Sequence, residues 1–299
     1  MMAPRNLLDL DDVSAEELVA LLDRAETFHR DPSPRRALAG VPVVNLFFEP
    51  STRTQTSFAI AEHRLGAEVV TIDPGDSSMV KGESIADTAV TLAAMGVGAI
   101  VVRHKESGFP YVLARSFPGH VVNAGDGTHA HPTQALLDLM TLRQEFGRVA
   151  GLRVAIVGDI AHSRVARSNI HGLRALGAQT ILVGPPTLLP DAMAQTAVHV
   201  ERDLDRVLPT VDAVMLLRIQ RERLDSALVP SVAAYAEQFQ LNPRRLALLR
   251  EGAVVMHPGP FNRGVELTDE VLEFPGCRYV NQVANGVFAR MAVLEALCV

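Results

Sequence analysis

Short apolar runs rich in β-branched residues alternate with helical patterns twice along this chain, and that alternation is its strongest constraint on fold. The first series contains VPVVNLFF, a helix from about Thr52, AEVVTID, a helix from about Glu83, GAIVVR and HVVNAG. The second contains LRVAIVGD, a helix from about Ser163, QTILVG, DAVMLL, a helical patch near 242–250 and GAVVMHPGP. Strands that are apolar throughout, without polar alternation, are buried on both faces, which calls for parallel sheets covered by helices. Between the two series, HPTQALLDLMTLRQEF (131–146) reads as one long helix. The expected fold is therefore α/β, with two doubly wound parallel-sheet domains joined by a long helix. ANGVFARMAVLEAL (284–297) is helical and able to pack on either domain. SAEELVALLDRAETFHR (14–30) begins with Ser14 and Glu17 in a capping-box pattern.

Composition excludes several classes of function. A length of 299 residues suits two domains, and 48% hydrophobic content supplies their cores. No window approaches the roughly 18 uninterrupted apolar residues of a membrane span. The start, MMAPRNLLDLDD, is acidic and unlike a signal peptide. Cys277 and Cys298 are the only cysteines and lack metal-site spacing, so a reducing, cytoplasmic compartment is expected. A formal charge of -6 argues against nucleic acid as a partner. Of the 28 basic residues only Lys81 and Lys105 are lysines, which draws attention to each.

Sheets of this kind bind ligands beyond the carboxyl ends of their strands, and five groups satisfy that rule. Ser51-Thr52-Arg53-Thr54 follows an apolar run at a helix start, where free backbone N–H groups, hydroxyls and a guanidinium suit phosphate; plain helix capping explains Ser51 equally well. Ser77 and Lys81 lie in a Ser- and Gly-bearing loop that otherwise reads as an exposed connector. Arg103 ends GAIVVR at a strand's carboxyl edge, as an anion ligand or as a surface arginine with an ion partner. His131 precedes Pro132 at a helix N-terminus, where the dipole favours a neutral imidazole able to donate to a carbonyl oxygen, and Gln134 lies one turn on. His129 and His131 lack a third ligand at metal-site spacing, so no metal is expected.

The fifth group belongs to the second series. Arg164 opens the helix after VAIVGD, but VGDIAHSRVA lacks the G-x-G-x-x-G spacing of a dinucleotide site. Arg218 and Gln220 end a strand and point to one side in extended geometry. In His257-Pro258-Gly259-Pro260 the two prolines donate no N–H and leave carbonyls as acceptors, unless the stretch is simply a turn.

Taken in order, STRT, KGES-x-x-D-T, the VRH strand end, HPTQ-x-L-x-D, GD-x-x-H-S-R-V, R-x-Q-x-E-R and HPGP-x-N-R-G resemble the catalytic chains of the aspartate carbamoyltransferase family. The resemblance runs from about residue 40 to about 290. It implies an enzyme of pyrimidine biosynthesis that condenses carbamoyl phosphate with L-aspartate, giving N-carbamoyl-L-aspartate and phosphate without a cofactor. It further implies a carbamoyl-phosphate domain over 1–147, completed by 284–299, and an aspartate domain over 148–283. Ser51, Thr52, Arg53 and Thr54 would cradle phosphate, Arg103 would bridge phosphate and carbonyl oxygen, and His131 would polarise the carbonyl. Gln134, with the Gly259 and Pro260 carbonyls, would contact the carbamoyl NH₂. Arg164, Arg218 and Gln220 match the aspartate set, to which Lys81 also belongs.

By the same resemblance, Ser77 and Lys81 would reach in from a neighbouring subunit of a homotrimer. Larger assemblies with a regulatory chain or dihydroorotase are left open. The competing relative, ornithine carbamoyltransferase, shares STRT and HP-x-Q but typically carries H-C-L-P and a Ser-Met-Gly segment. This chain has HPGP and Arg218-Ile219-Gln220 instead, and a second substrate carboxylate calls for a cation. A non-catalytic scaffold paralogue would tolerate losses among the charged site residues, and none is seen. One departure is Gln55, where many relatives carry Arg.

Overall fold

The computed structural model describes residues 6–76, 82–190, 199–219 and 231–299. The chain divides into two compact units, Met1–Met140 with Ala284–Val299, and Thr141–Val283. The division falls inside the long helix anticipated over 131–146.

In the first unit, α1 (Ala15–Arg30) starts with both halves of the capping box: Ser14 Oγ accepts from Glu17 N–H, and Glu17 accepts from Ser14 N–H. β1 (Pro42–Phe47), α2 (Thr52–Leu65), β2 (Glu68–Ile72), α3 (Ile85–Ala94), β3 (Ala99–His104), α4 (Phe109–Ser116) and β4 (His120–Asp126) follow. The sheet is parallel throughout, in the order β2-β1-β3-β4. Its inner strands are mainly apolar, and Val44, Leu46, Ile100, Val102, Leu113 and Val121 are buried together. Gly66 ends α2 with φ 82°, a left-handed conformation that favours glycine. α5 (Pro132–Phe146) begins in this unit, and the C-terminal helix Tyr279–Cys298 returns to it from Ala284 onward. Arg24 of α1 holds Glu295 of that helix with two hydrogen bonds.

The second unit carries β5 (Arg153–Val157), α6 (Arg164–Ala175), β6 (Gln179–Val183), β7 (His199–Glu201), β8 (Ala213–Leu216) and β9 (Val254–Met256). This sheet is also parallel, in the order β7-β6-β5-β8-β9. Four differences from the sequence reading stand out. β7 was not anticipated, because three residues (HVE) are too few to display a period. The helix Val232–Phe239 was also not anticipated; its buried Tyr235 and Phe239 are too few to mark an apolar face clearly. The patch at 242–250 shrinks to one turn, Pro243–Leu246, capped by Asn242. The C-terminal helix starts earlier than expected, at Tyr279, since YVNQV contains no breaker.

Topology places a switch point in each sheet. In the first, the chain runs from β1 to β2 on one side and then through β3 to β4 on the other, so the order reverses between β1 and β3. In the second, it reverses between β5 and β8. Crevices at the carboxyl ends of such strand pairs are where open α/β sheets bind ligands.

Candidate active site: anion-binding edges at two switch points

At the first switch point β1 and β3 pair in register, with Phe47 opposite Arg103. Phe48 N–H donates to the Arg103 carbonyl at 2.9 Å, carrying the pairing one residue beyond β1. The chain then turns into α2, and Ser51 caps its start without a side-chain capping bond. The Ser51 hydroxyl instead faces Arg103, whose Nη1 donates to Oγ at 3.4 Å. The same guanidinium donates through Nε to Glu49 Oε2 at 3.2 Å. Thr52 and Arg53 are exposed in the first turn of α2, whereas Thr54 is buried. An arginine, three hydroxyls and a helix N-terminus thus meet at one sheet edge, a setting suited to an oxyanion or phosphate.

His131 reaches this unit's carboxyl edge by another route. β4 ends at Asp126, whose buried carboxylate accepts from Gly108 N–H (2.6 Å), Asn123 Nδ2 (2.8 Å) and Ala130 N–H (3.1 Å). Both Asp126 oxygens also lie 3.1–3.2 Å from His129 Nδ1, and His129 Nε2 lies 3.3 Å from Asp9 Oδ2. The loop 126–131 is therefore fixed from within, and it delivers buried His131 to the start of α5. The His131 carbonyl accepts from Gln134 N–H at 3.0 Å. Within α5, Gln134 Nε2 donates to Asp138 Oδ1 at 3.0 Å. A carboxylate only accepts, so Asp138 sets the amide orientation and leaves Gln134 Oε1 available as an acceptor. Asp138 also raises the affinity of buried Arg290 for its proton, although burial wins and draws that guanidinium down to about 9.

In the second unit, Ser163 caps α6 by accepting from Ala166 N–H at 3.1 Å, which puts Arg164 at the first helical position beyond β5. Arg218 stands just beyond β8 and, like Arg164, is partly exposed. β5 and β8 are neighbours, so both arginines belong to this unit's switch point. Gly158 (φ 128°) makes their strand ends compatible, because a Cβ there would lie 3.3 Å from the Leu217 carbonyl and 3.2 Å from the Tyr235 hydroxyl. Gly259 and Pro260 follow β9, the neighbour of β8, and are joined by a cis peptide. His257 Nδ1 accepts from Gly259 N–H at 2.8 Å, holding this turn.

Ser77, Lys81 and Gln220 lie outside the described residues. Other motif residues have structural roles: Ser84 caps α3 and bonds Asp87, and Asp159 accepts from His162 N–H. His104, beside Arg103, stacks on Phe109 with ring centroids 3.7 Å apart, and burial lowers its pKa. The sequence reading missed Glu49, Asp126 and Glu266, which act through the residues they hold. Only Asp138 had left a signal, four residues after Gln134 on one helix face. Among the described residues no group of three or more His, Cys, Asp or Glu side chains could hold a metal ion. No described helix is long and apolar enough to cross a membrane.

Two parallel α/β units, each with cationic side chains at its switch point, define a two-domain protein built for anionic substrates. Family comparison narrows this further. The aspartate/ornithine carbamoyltransferase carbamoyl-P binding domain matches residues 5–144, and the Asp/Orn binding domain of the same family matches residues 150–297. The chain belongs to the aspartate/ornithine carbamoyltransferase family. It is 53% identical to the aspartate carbamoyltransferase catalytic subunit of Gluconobacter oxydans, over 98% of this chain and 96% of that one. It is 52% identical to the corresponding subunit of Acidothermus cellulolyticus, over 98% and 92%. Among solved structures, the aspartate transcarbamoylase of Trypanosoma cruzi in complex with N-(phosphonacetyl)-L-aspartic acid superposes with TM-score 0.91 at 32% identity, covering 100% of this chain and 97% of that one. An ornithine carbamoyltransferase from Thermus thermophilus superposes almost as well, with TM-score 0.89 at 32% identity over 99% of both chains. Backbone shape therefore does not choose the acceptor; side chains must.

Proposed function

We propose that this chain is a transferase that condenses carbamoyl phosphate with L-aspartate to give N-carbamoyl-L-aspartate and phosphate in pyrimidine biosynthesis. The observation that carries the reading is the meeting of Arg103 and Ser51 at the β1/β3 switch point, which joins two separate motifs into one anion site. In this assignment Ser51, Thr52, Arg53 and Thr54 hold the phosphate. Thr54, Arg103 and His131 donate to the carbonyl oxygen as charge builds there, stabilisation by preset donors. Gln134 Oε1 and the Gly259 and Pro260 carbonyls accept from the carbamoyl NH₂. Arg164, Arg218, Gln220 and Lys81 take the aspartate carboxylates. The aspartate amine attacks the carbamoyl carbon, the C–O bond to phosphate breaks, and the departing phosphate takes the amine proton. No side chain is assigned as general base.

The first unit then corresponds to the carbamoyl-phosphate domain, assigned to 1–147 with 284–299 so that its boundary falls at the end of α5 rather than within it, and the second to the aspartate domain, 148–283. The family resemblance also supports a cytoplasmic homotrimer in which Ser77 and Lys81 enter a neighbouring subunit's site. Aspartate is favoured over ornithine because Arg164 and Arg218 share one switch point, and two cations there suit a dicarboxylate and repel an ornithine ammonium group. The experiment is a colorimetric assay with carbamoyl phosphate and either amino acid. The reading expects carbamoyl-aspartate, with citrulline at background. Citrulline as the main product would overturn it.

A further inference from the structure

The strand end that bears Arg218 and the turn that bears Gly259 and Pro260 are cross-linked by a polar pair outside the assigned site, buried Glu266 and partly exposed Asn262. Glu266 is 1% exposed. Its Oε1 accepts from Ile219 N–H at 2.6 Å and from Asn262 Nδ2 at 2.8 Å, and its Oε2 accepts from Asn262 N–H at 2.7 Å. Asn262 Nδ2 also donates to the Ile219 carbonyl at 2.9 Å. Both backbone polar groups of Ile219 are thus held by two side chains from one short loop. Ile219 adjoins Arg218, and Asn262 lies two residues after Pro260. A fold needing only to pack these segments would use apolar contacts, since burying a carboxylate opposes its ionisation. Burial does push the Glu266 carboxyl up from its ordinary value, and the three donors oppose that rise.

We propose that Glu266 and Asn262 are positioning residues that set Arg218 and the Gly259–Pro260 carbonyls in mutual register, so that the aspartate carboxylate and the carbamoyl NH₂ are held by one rigid frame. The claim rests on the aspartate reading above. In Glu266→Gln the side chain keeps its size and one acceptor, but its NH₂ meets Asn262 N–H donor to donor. Losing hydrogen bonds to a buried charged group should shift binding about tenfold. Asn262→Ala removes the side-chain half of the frame at a partly exposed position and serves if Glu266→Gln fails to fold.

The test measures steady-state kinetics for the wild type, each variant, Arg218→Ala and the double variants, with inorganic phosphate binding as a control for the first unit. Expected is a rise of about tenfold in the aspartate KM for Glu266→Gln, a smaller rise for Asn262→Ala, and unchanged phosphate affinity. Neither substitution should add much in the Arg218→Ala background, because residues acting through one group are not additive. Unchanged aspartate KM in a folded variant, or full additivity with Arg218→Ala, would overturn the proposal. A wild type that does not use aspartate would instead remove the functional reading on which it stands, and that failure shows in the wild-type arm alone.

Discussion

Burial governs Glu62, a carboxyl on α2 outside the assigned site residues. It is fully buried and accepts one hydrogen bond, from Asn45 Nδ2 of β1 at 2.7 Å, while its Oε1 has no partner among the described residues. Desolvation raises its pKa from 4.5 to about 7, outweighing the Asn45 bond. A raised carboxyl pKa means that the folded state holds the proton more tightly than the unfolded state. The associated stability is full below about pH 4.5 and is lost as pH climbs to about 7, amounting to roughly 3 kcal/mol. Glu62→Gln lacks this loss. Urea unfolding should therefore show the variant gaining on the wild type by about 2–3 kcal/mol between pH 5 and pH 8. A gap that stays constant with pH would show that Glu62 titrates normally. Contrast Asp138, equally buried but facing Gln134 and the Arg290 cation. For buried carboxyls, donors and countercharges decide what each one does.

At the level of elements, strand ends carry the site and helices aim it. The sequence was legible wherever period and composition agree: the inner strands of both sheets are mainly apolar, β1 being interrupted only by Asn45, and the helices α1, α2 and α6 begin at caps visible as Ser14, Ser51 and Ser163. Strand-end placement likewise exposed Arg103, Arg164 and Arg218. The edge strand β7 and the helix Val232–Phe239 escaped notice because short, half-buried elements carry little periodic signal. Glu49, Asp126 and Glu266 escaped for another reason: besides any local bonds, each ties to a partner 18 to 54 residues away, Arg103, Gly108 N–H or Ile219 N–H, that sequence does not mark. α5 offers a test of how an element aims a side chain. Gln134 and Asp138 are one helical turn apart, and the bond between them orients the amide. Asp138→Asn removes the charge that fixes this orientation and deprives Arg290 of its countercharge. Turnover should fall about tenfold, with a raised carbamoyl phosphate KM and unchanged far-UV circular dichroism. Wild-type kinetics in that variant would show that Gln134 needs no such orientation.

For the whole molecule, the net charge of -6 stands against a site that must gather two anions. The proposed resolution is local: Arg53 and Arg103 lie at one sheet's edge, and Arg164 and Arg218 at the other's, a placement able to draw anions despite the net charge. The proposed division of labour between two units turns on the cations, because the family's shared backbone fits either amino-acid acceptor. It is tested most directly by varying each substrate in turn with the Arg53→Ala and Arg218→Ala enzymes. Arg53→Ala should need more carbamoyl phosphate and lose about 10²–10³ in turnover. Arg218→Ala should show a strongly raised aspartate KM with carbamoyl phosphate binding close to wild type. If Arg218→Ala instead leaves the aspartate KM unchanged, or shifts both substrates equally, the assignment of one substrate to each unit is wrong.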